Sequence, residues 1–376
     1  MHVLIKKVLT KKELEKFIKF PMKLYANNPY YVPPLISEEI VTLSPLKNPV
    51  FSHAEAHYYL AYKNNEIVGR IAAIINWKEV REQGKKKVRF GWFDVIDDQE
   101  VTKLLLDKVF ELGCENQLQE IEGPVGFSNL EKAGLLTFGF DKIATMVTLY
   151  NHSYYEKHLL DLGFETSNEW VEYEIDTPTV LPEKVVKFSK IVKERYGLKD
   201  LKFKNSNEII PYVDEMFDLI NKTYAHLATY VPIAQEQINY YKEKYIKIIN
   251  PDFVNCIVND EGRLVAFAIT MPSYSKALQK AKGSLYPFGW IHFLKASRKN
   301  DSAAFYLIGV DPKFQNKGVT AIIFQQMFDA FHKYGIKYLE TNPELIENKS
   351  IQALWEQYKP VNHKKRKSFR KDLDCQ

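Results

Sequence analysis

The stretch Tyr306–Thr320, YLIGVDPKFQNKGVT, decides how the rest of the chain is read. An apolar run suited to a buried strand meets Asp311-Pro312, then Gln315-Asn316-Lys317-Gly318, then the long apolar stretch GVTAIIFQQMFDAFHKYG. A strand, a glycine turn and a helix in this order can be simple punctuation, because glycine takes the tight corner that other residues resist. The same order can hold a phosphate. The first N–H groups of a helix lack internal partners, and the helix dipole ends there with positive sign.

Working outward, the C-terminal half reads as one structural unit. EIIPYVDEMFDLINKTYAHL and QEQINYYKEKYIKII have helical spacing, and FVNCIVNDEGRLVAFAITM is a hairpin turning at Asp260-Glu261-Gly262. AAFYLIGV is a buried strand, the glycine turn opens a helix, IKYLETN is a strand, KSIQALWEQYK a helix and KKRKSFRKDL a last alternating strand. The lysines and arginines of that last strand read as protection of an exposed sheet edge.

The N-terminal half repeats the order. KKELEKFIKFPMKLY is a helix, HYYLAYKNNEIVGRIAAIINW a hairpin turning at Asn64-Asn65, VRFGWFDVI a strand and DDQEVTKLLLDKVFELGCENQ a helix. LQEIEGPV is a strand, SYYEKHLLDLGF a helix ended by Gly163, and EWVEYEID a strand. Corresponding features of the halves are displaced by about 196 residues, which implies a duplicated unit. The expected domains are 1–180 and 181–376, with TPTVLPEKVVKFSKIVKERYGLKDLKF carrying a linking helix.

Composition bounds the function. A length of 376 residues suits two cores, and 45% apolar with 26% charged residues is ordinary for a soluble globular chain. A net charge of +5 tolerates anionic ligands but supplies no concentrated basic face, so no nucleic-acid partner is expected. No run approaches the ~18 apolar residues of a membrane span, and no signal peptide is expected from the start MHVLIKKVLTKKELEKF. Cys114, Cys256 and Cys375 show no metal spacing and no disulfide framework; reduced thiols and a cytoplasmic location are the expectation. The nine histidines form no metal motif, so no metal is expected.

This order of parts resembles the GNAT acyltransferase superfamily, with α/β (α+β) units that each have a mixed, mostly antiparallel sheet flanked by helices. The resemblance implies that the turn Gln315, Asn316, Lys317, Gly318, Val319 and Thr320 holds the pyrophosphate of acetyl-CoA or another acyl-CoA. Thr320 stands where that family has Gly or Ala. Backbone N–H groups around Ile308, Gly309 and Val310 would polarise the thioester. Asn348 fills the family's cofactor-contacting Asn slot, but the seventh residue after it is Trp355, where the family has a Tyr that protonates the leaving thiolate. Tyr358 is the nearest phenol. An indole N–H donates but has no useful acidity.

In the first half the counterpart of the turn is Asp97-Asp98-Gln99-Glu100, with three carboxylates and no glycine, so no acyl-CoA is expected there. The run from Gly123-Pro124 through Phe127-Ser128, Gly134-Leu135-Leu136, Gly139-Phe140-Asp141, Tyr150-Asn151 and Tyr154-Tyr155 to Gly163-Phe164 is similar to uncharacterised bacterial proteins of GNAT-like fold.

Two further candidates for catalysis come from position. His226 lies between helix and loop and is a possible base for an amine, beside the plainer reading of a surface histidine. Glu340, near the end of the fifth strand of the second unit, is a possible base through water, beside the reading of a solvated strand end. TYAHLATYVPI and NPYYVPPLI, each with aromatics and Val-Pro, are candidate specificity loops. The expected activity is acyl transfer to a small-molecule or peptide amine, by a monomer or homodimer. Two alternatives stand: an aminoacyl-tRNA-dependent peptidyltransferase, whose family's coiled-coil arm this chain lacks, and a non-catalytic ligand-binding protein.

Overall fold

The computed structural model describes residues 2–375 except 129, 228 and 246–248. The chain runs β1 (Leu4–Lys7), α1 (Lys11–Leu24), α2 (Ile36–Thr42), β2 (Ala54–Lys63), β3 (Glu66–Asn76), α3 (Trp77–Glu82), β4 (Lys87–Val95) and α4 (Gln99–Glu115). It continues with β5 (Glu120–Gly123), β6 (Leu135–Phe138), α5 (Tyr154–Asp161), β7 (Glu165–Asp176), α6 (Glu183–Tyr196), β8 (Lys199–Asp200), α7 (Val213–Tyr224) and α8 (Gln235–Tyr245). The last elements are β9 (Val254–Val258), β10 (Leu264–Pro272), α9 (Ser275–Ala281), α10 (Gly289–Arg298), β11 (Ser302–Val310), α11 (Val319–Tyr334), β12 (Tyr338–Thr341), β13 (Glu344–Leu345), α12 (Lys349–Gln352) and β14 (Val361–Asp372).

Two compact units form, and neither is one contiguous block of sequence. The first contains 1–171, 275–293 and 363–376; the second contains 172–274 and 294–362. The chain first passes from one unit to the other between residues 171 and 172, and 275–293 and 363–376 return to the first unit.

In the first unit the strand order is β1-β2-β3-β4-β5-β14, antiparallel except for the β4–β5 pair. The β2–β3 turn has positive φ at both Asn64 and Asn65, as a two-residue hairpin requires. α4 buries Val101, Leu105, Val109 and Leu112, spaced by four and three residues, against Ile71, Phe90 and Val95. On the other face α1 buries Phe17 and Ile18 with Leu60, Ala72 and Ile74. Thr10 and Glu13 form a reciprocal capping box that starts α1.

The second unit repeats this plan: the latter part of β7, then β12, β11, β10, β9 and β8, with β11–β12 the parallel pair. α11 buries Ile322, Ile323, Met327, Phe328 and Phe331 against Phe253, Ile257, Ala266 and Leu339.

Three expectations need correction. The C-terminal strand is no protected edge: β14 pairs with β5, Phe369 opposite Gly123, and also with β6. Two of its cations are bonded internally, Arg366 donating to the Leu149 carbonyl at 2.6 Å and Lys371 to the Leu162 carbonyl at 2.8 Å. Cys114 and Cys375 are joined as a disulfide, so only Cys256 remains a buried free thiol. Such a bond persists in oxidising surroundings, and the expectation of a cytoplasmic location rested partly on reduced thiols. The helix expected over KSIQALWEQYK stops after Gln352, followed by a turn and a short 3-10 stretch at Glu356–Tyr358, because Trp355 turns inward to be buried. α8 is described to Tyr245; the end of the expected helix, 246–248, lies outside the described residues.

Candidate functional site

The site begins where β11 and β12 part. Their parallel pairing runs from Ser302 opposite Tyr338 to Phe305 opposite Thr341 and ends there. Asn342 enters the opening. Its N–H donates to the Phe305 carbonyl at 3.2 Å and its side-chain amide to the Tyr306 carbonyl at 3.1 Å, while its Oδ1 is buried without a hydrogen bond.

Of the three backbone positions expected to polarise a thioester, two face this opening. Asp311 N–H donates to Val265 O at 2.8 Å. The alternation of an antiparallel ladder then directs the groups of Gly309 to β10 and those of Ile308 and Val310 away from it. The Ile308 carbonyl accepts from the Tyr224 hydroxyl at 3.0 Å, and the Val310 carbonyl from Gln315 Nε2 at 3.1 Å. Gln315 therefore ties the turn to the strand.

The turn itself is tightly specified. Lys313 N–H donates to Asp311 Oδ1 at 2.8 Å, Phe314 N–H to Asp311 O at 2.7 Å and Gln315 N–H to the same oxygen at 3.1 Å. Asn316 and Gly318 have φ of +60° and +78°. A Cβ at Gly318 would lie 2.4 Å from Phe188 Cε1, because α6 packs across the start of α11. Dihedral angle and packing thus account for this glycine without any ligand.

What packing does not account for is the helix end. No side chain caps α11, and Gly318 leads directly into Val319 and Thr320. Lys317 is exposed, its ammonium 5.2 Å from the Tyr196 ring and 5.4 Å from the Phe314 ring.

The residues expected to carry catalysis are distributed less favourably. Trp355 is fully buried against Phe305 and Phe324, and its Nε1 donates to Glu344 Oε1 at 2.7 Å. It is a core residue, a correction to its expected place on the cofactor. Tyr358 packs on Phe324 and Phe328, with a buried hydroxyl that lacks a partner; burial pushes its pKa up to about 12. Asn348 precedes α12 without capping it. His226 is exposed in the turn after α7. Glu340 sits in the paired part of β12, opposite Ala304 and Glu174, with a carboxylate oxygen within 4.8 Å of one on Glu172.

One acid escaped sequence reasoning. Glu344 begins β13, just past the point where β12 leaves β11. Its carboxyl is buried, Oε1 accepts from Trp355, and Oε2 has no hydrogen bond. Burial raises its pKa to about 7, with the hydrogen bonds from Trp355 and Thr341 opposing the rise. Its sequence surroundings, ETNPELIEN, contain three glutamates and give no sign of which is enclosed.

The corresponding parts of the first unit are arranged differently. Asp98 caps α4, accepting from Glu100 N–H at 3.0 Å and Val101 N–H at 3.3 Å, and pairs with Lys63 at 2.8 Å. On the α1 face, Arg70 pairs with Asp94 at 2.7 Å, and Tyr25 bridges Asp94 and Tyr155. Farther along β4, Glu79 holds Arg89 at 2.8 Å and Lys87 at 3.2 Å, and Lys87 also pairs with Glu122.

No protein-family description matches the chain. Protein YghO of Escherichia coli is 25% identical over 377 residues, covering 98% of this chain and 95% of that protein. A bacterial ceramide synthase of Caulobacter vibrioides is 25% identical over 314 residues, covering 82% of this chain and 80% of that protein. Among solved structures, a tandem GNAT protein from the clavulanic acid biosynthesis pathway superposes with a TM-score of 0.58 at 10% identity, over 99% of both chains. The chain has the fold of a tandem GNAT (GCN5-related N-acetyltransferase) protein.

Proposed function

We propose that the second unit binds an acyl-CoA and transfers its acyl group to an amine. The uncapped start of α11 carries this reading, because the same position in the first unit is closed by Asp98. Free N–H groups at Val319 and Thr320, the helix dipole and Lys317 together suit a pyrophosphate. The thioester would lie along β11, its carbonyl facing the N–H groups of Ile308 and Val310. An amine nitrogen then attacks the carbonyl carbon, the C–N bond forms, the C–S bond breaks, and CoA leaves as the thiol. Glu344 is the better placed base: it lies beyond the parting of the strands, whereas Glu340 lies within the paired segment, and a carboxyl near neutrality matches the task.

The relative named bacterial ceramide synthase makes a ceramide, which is an N-acylated long-chain amine. That product is the type of amide this chemistry yields, so long acyl chains and long-chain amines belong in the assay beside acetyl-CoA and peptide amines. Thermal shift with CoA, acetyl-CoA and longer acyl-CoAs tests donor binding, and release of free thiol across the amine panel tests transfer. Stabilisation by at least one CoA species with thiol release is expected; no stabilisation by any of them contradicts the reading. The burial of Trp355 and the unpartnered Tyr358 favour one second reading, a binding protein without turnover, which shows stabilisation without thiol release.

A further inference from the structure

The segment between β10 and β11 has no role in the site described above, and its surface is unusual. Tyr286, Phe288 and Trp290 are 82%, 70% and 48% exposed, three large aromatics within five residues. Leu294, one turn farther along α10, is exposed as well. Exposed apolar groups scattered singly are ordinary, but a contiguous aromatic patch marks an interaction surface.

The display is built rather than loose. Trp290 N–H donates to Leu285 O at 2.9 Å, its indole N–H to Pro287 O at 3.1 Å, and the Ser284 hydroxyl to Tyr286 O at 2.8 Å. Gly289 lets the turn close, since a Cβ there would stand 2.0 Å from Ser284 O. Behind the patch, α9 is anchored through Leu278 in a cluster with Tyr25, Val32 and Leu136. Gln279 Nε2 donates to Pro29 O at 2.7 Å and Tyr31 O at 3.0 Å, and Ile36 N–H to Gly283 O at 2.9 Å. The aromatics thus project from a fixed base.

Charge selects the partner. From Ser273 to Asn300 the chain carries six lysines and arginines and no aspartate or glutamate. Lys280 and Lys282 precede the aromatics and Lys295, Arg298 and Lys299 follow them, all exposed. Across the whole chain 52 basic residues face 47 acidic ones, so this stretch departs sharply from the average. Tyr, Trp and Phe flanked by cations fit the headgroup region of a bilayer, where amphipathic rings settle at the interface and lysines meet anionic lipid. We propose that Tyr286, Phe288 and Trp290, with Lys280 and Lys282, dock the protein on the surface of an anionic membrane. No described helix is long and apolar enough to cross one, so the contact is peripheral. This inference does not rest on the acyl-transfer reading, and neither failure entails the other.

The test is co-sedimentation of the full chain with vesicles of phosphatidylcholine alone and of phosphatidylcholine mixed with phosphatidylglycerol. Binding to the mixed vesicles, weakened by salt, is expected. Tyr286→Ser/Phe288→Ser should weaken it at least about tenfold, with an unchanged melting temperature because these two side chains are exposed, and adding Trp290→Ser should weaken it further. Lys280→Glu/Lys282→Glu should weaken binding to the mixed vesicles roughly tenfold or more. No binding to the mixed vesicles, or binding that the aromatic variant leaves unchanged, overturns the proposal. So does a dimer in gel filtration that the aromatic variant dissociates, or binding of RNA in preference to the mixed vesicles.

Discussion

The same fold element ends differently in the two units, and the contrast shows what the fold needs and what it leaves open. In each unit a strand of nine residues runs into a helix after parting from a parallel neighbour. In the first unit Asp98 closes the helix start and the α1 face of the sheet is filled with paired charges. In the second the helix start has no side-chain cap, and the opening beside β11 holds an amide oxygen and a carboxyl oxygen without partners. The fold therefore tolerates a capped, glycine-free junction. An uncapped one is a feature of the second unit, and a ligand that completes those hydrogen bonds is the simplest reason for it.

Substitutions that exchange these properties break or sharpen the contrast. The largest effect is expected from Glu79→Ala, which removes the carboxylate that holds buried Arg89 and leaves Lys87 with Glu122 alone. Chemical denaturation should show a loss of about 3–5 kcal/mol. The milder Glu79→Gln variant, if folded, should keep the wild-type affinity for CoA. A large loss of CoA affinity with unchanged stability would mean that the first unit's charges serve the ligand.

Glu344→Gln keeps an acceptor for Trp355 and should lower kcat roughly a hundredfold or more, abolishing a pH-dependence centred near 7. The same variant separates a stability effect. Because the folded carboxyl has its pKa raised from 4.5 to about 7, its neutral form fits the fold, and that contribution is complete below about 4.5. Wild type should lose of order 3 kcal/mol as pH rises from 4.5 through 7, relative to the variant. Parallel pH–stability curves for the two proteins would remove Glu344 from the account.

Gly318→Ala puts a Cβ against Phe188 at a φ of +78°, for a cost of about 1–3 kcal/mol and weaker CoA binding. Adding Phe188→Ala should restore part of the affinity by relieving the contact; no recovery would mean the backbone angle alone sets it. The smallest effect belongs to Asp98→Ala, about 1 kcal/mol of stability from a lost helix cap and none on CoA affinity.

Much of this architecture is legible in the sequence because local chemistry enforces it. Asn64-Asn65 and Asp260-Glu261-Gly262 turn both hairpins, Gly163 and Gly318 adopt positive φ, and the strand–turn–helix order of Tyr306–Thr320 is found as read. What escaped depends on contacts between distant segments. KKRKSFRKDL reads as a charged edge, yet β14 is paired on β5, and Arg366 donates to a carbonyl 217 residues away. The Cys114–Cys375 bond spans 261 residues and follows from the same return of the chain. Trp355 fits the expected sequence slot of a cofactor residue but is turned into the core by Glu344, and Glu344 is distinguished from its neighbouring glutamates only by burial.

The most direct test of the contrast is amide hydrogen exchange on the full chain with and without saturating acyl-CoA. Slowed exchange is expected in peptides covering Asn316–Ala321 and Ile308–Val310, and no change in those covering Asp97–Val101. Protection at Asp97–Val101, or no protection at Asn316–Ala321 when CoA is bound, would contradict that contrast.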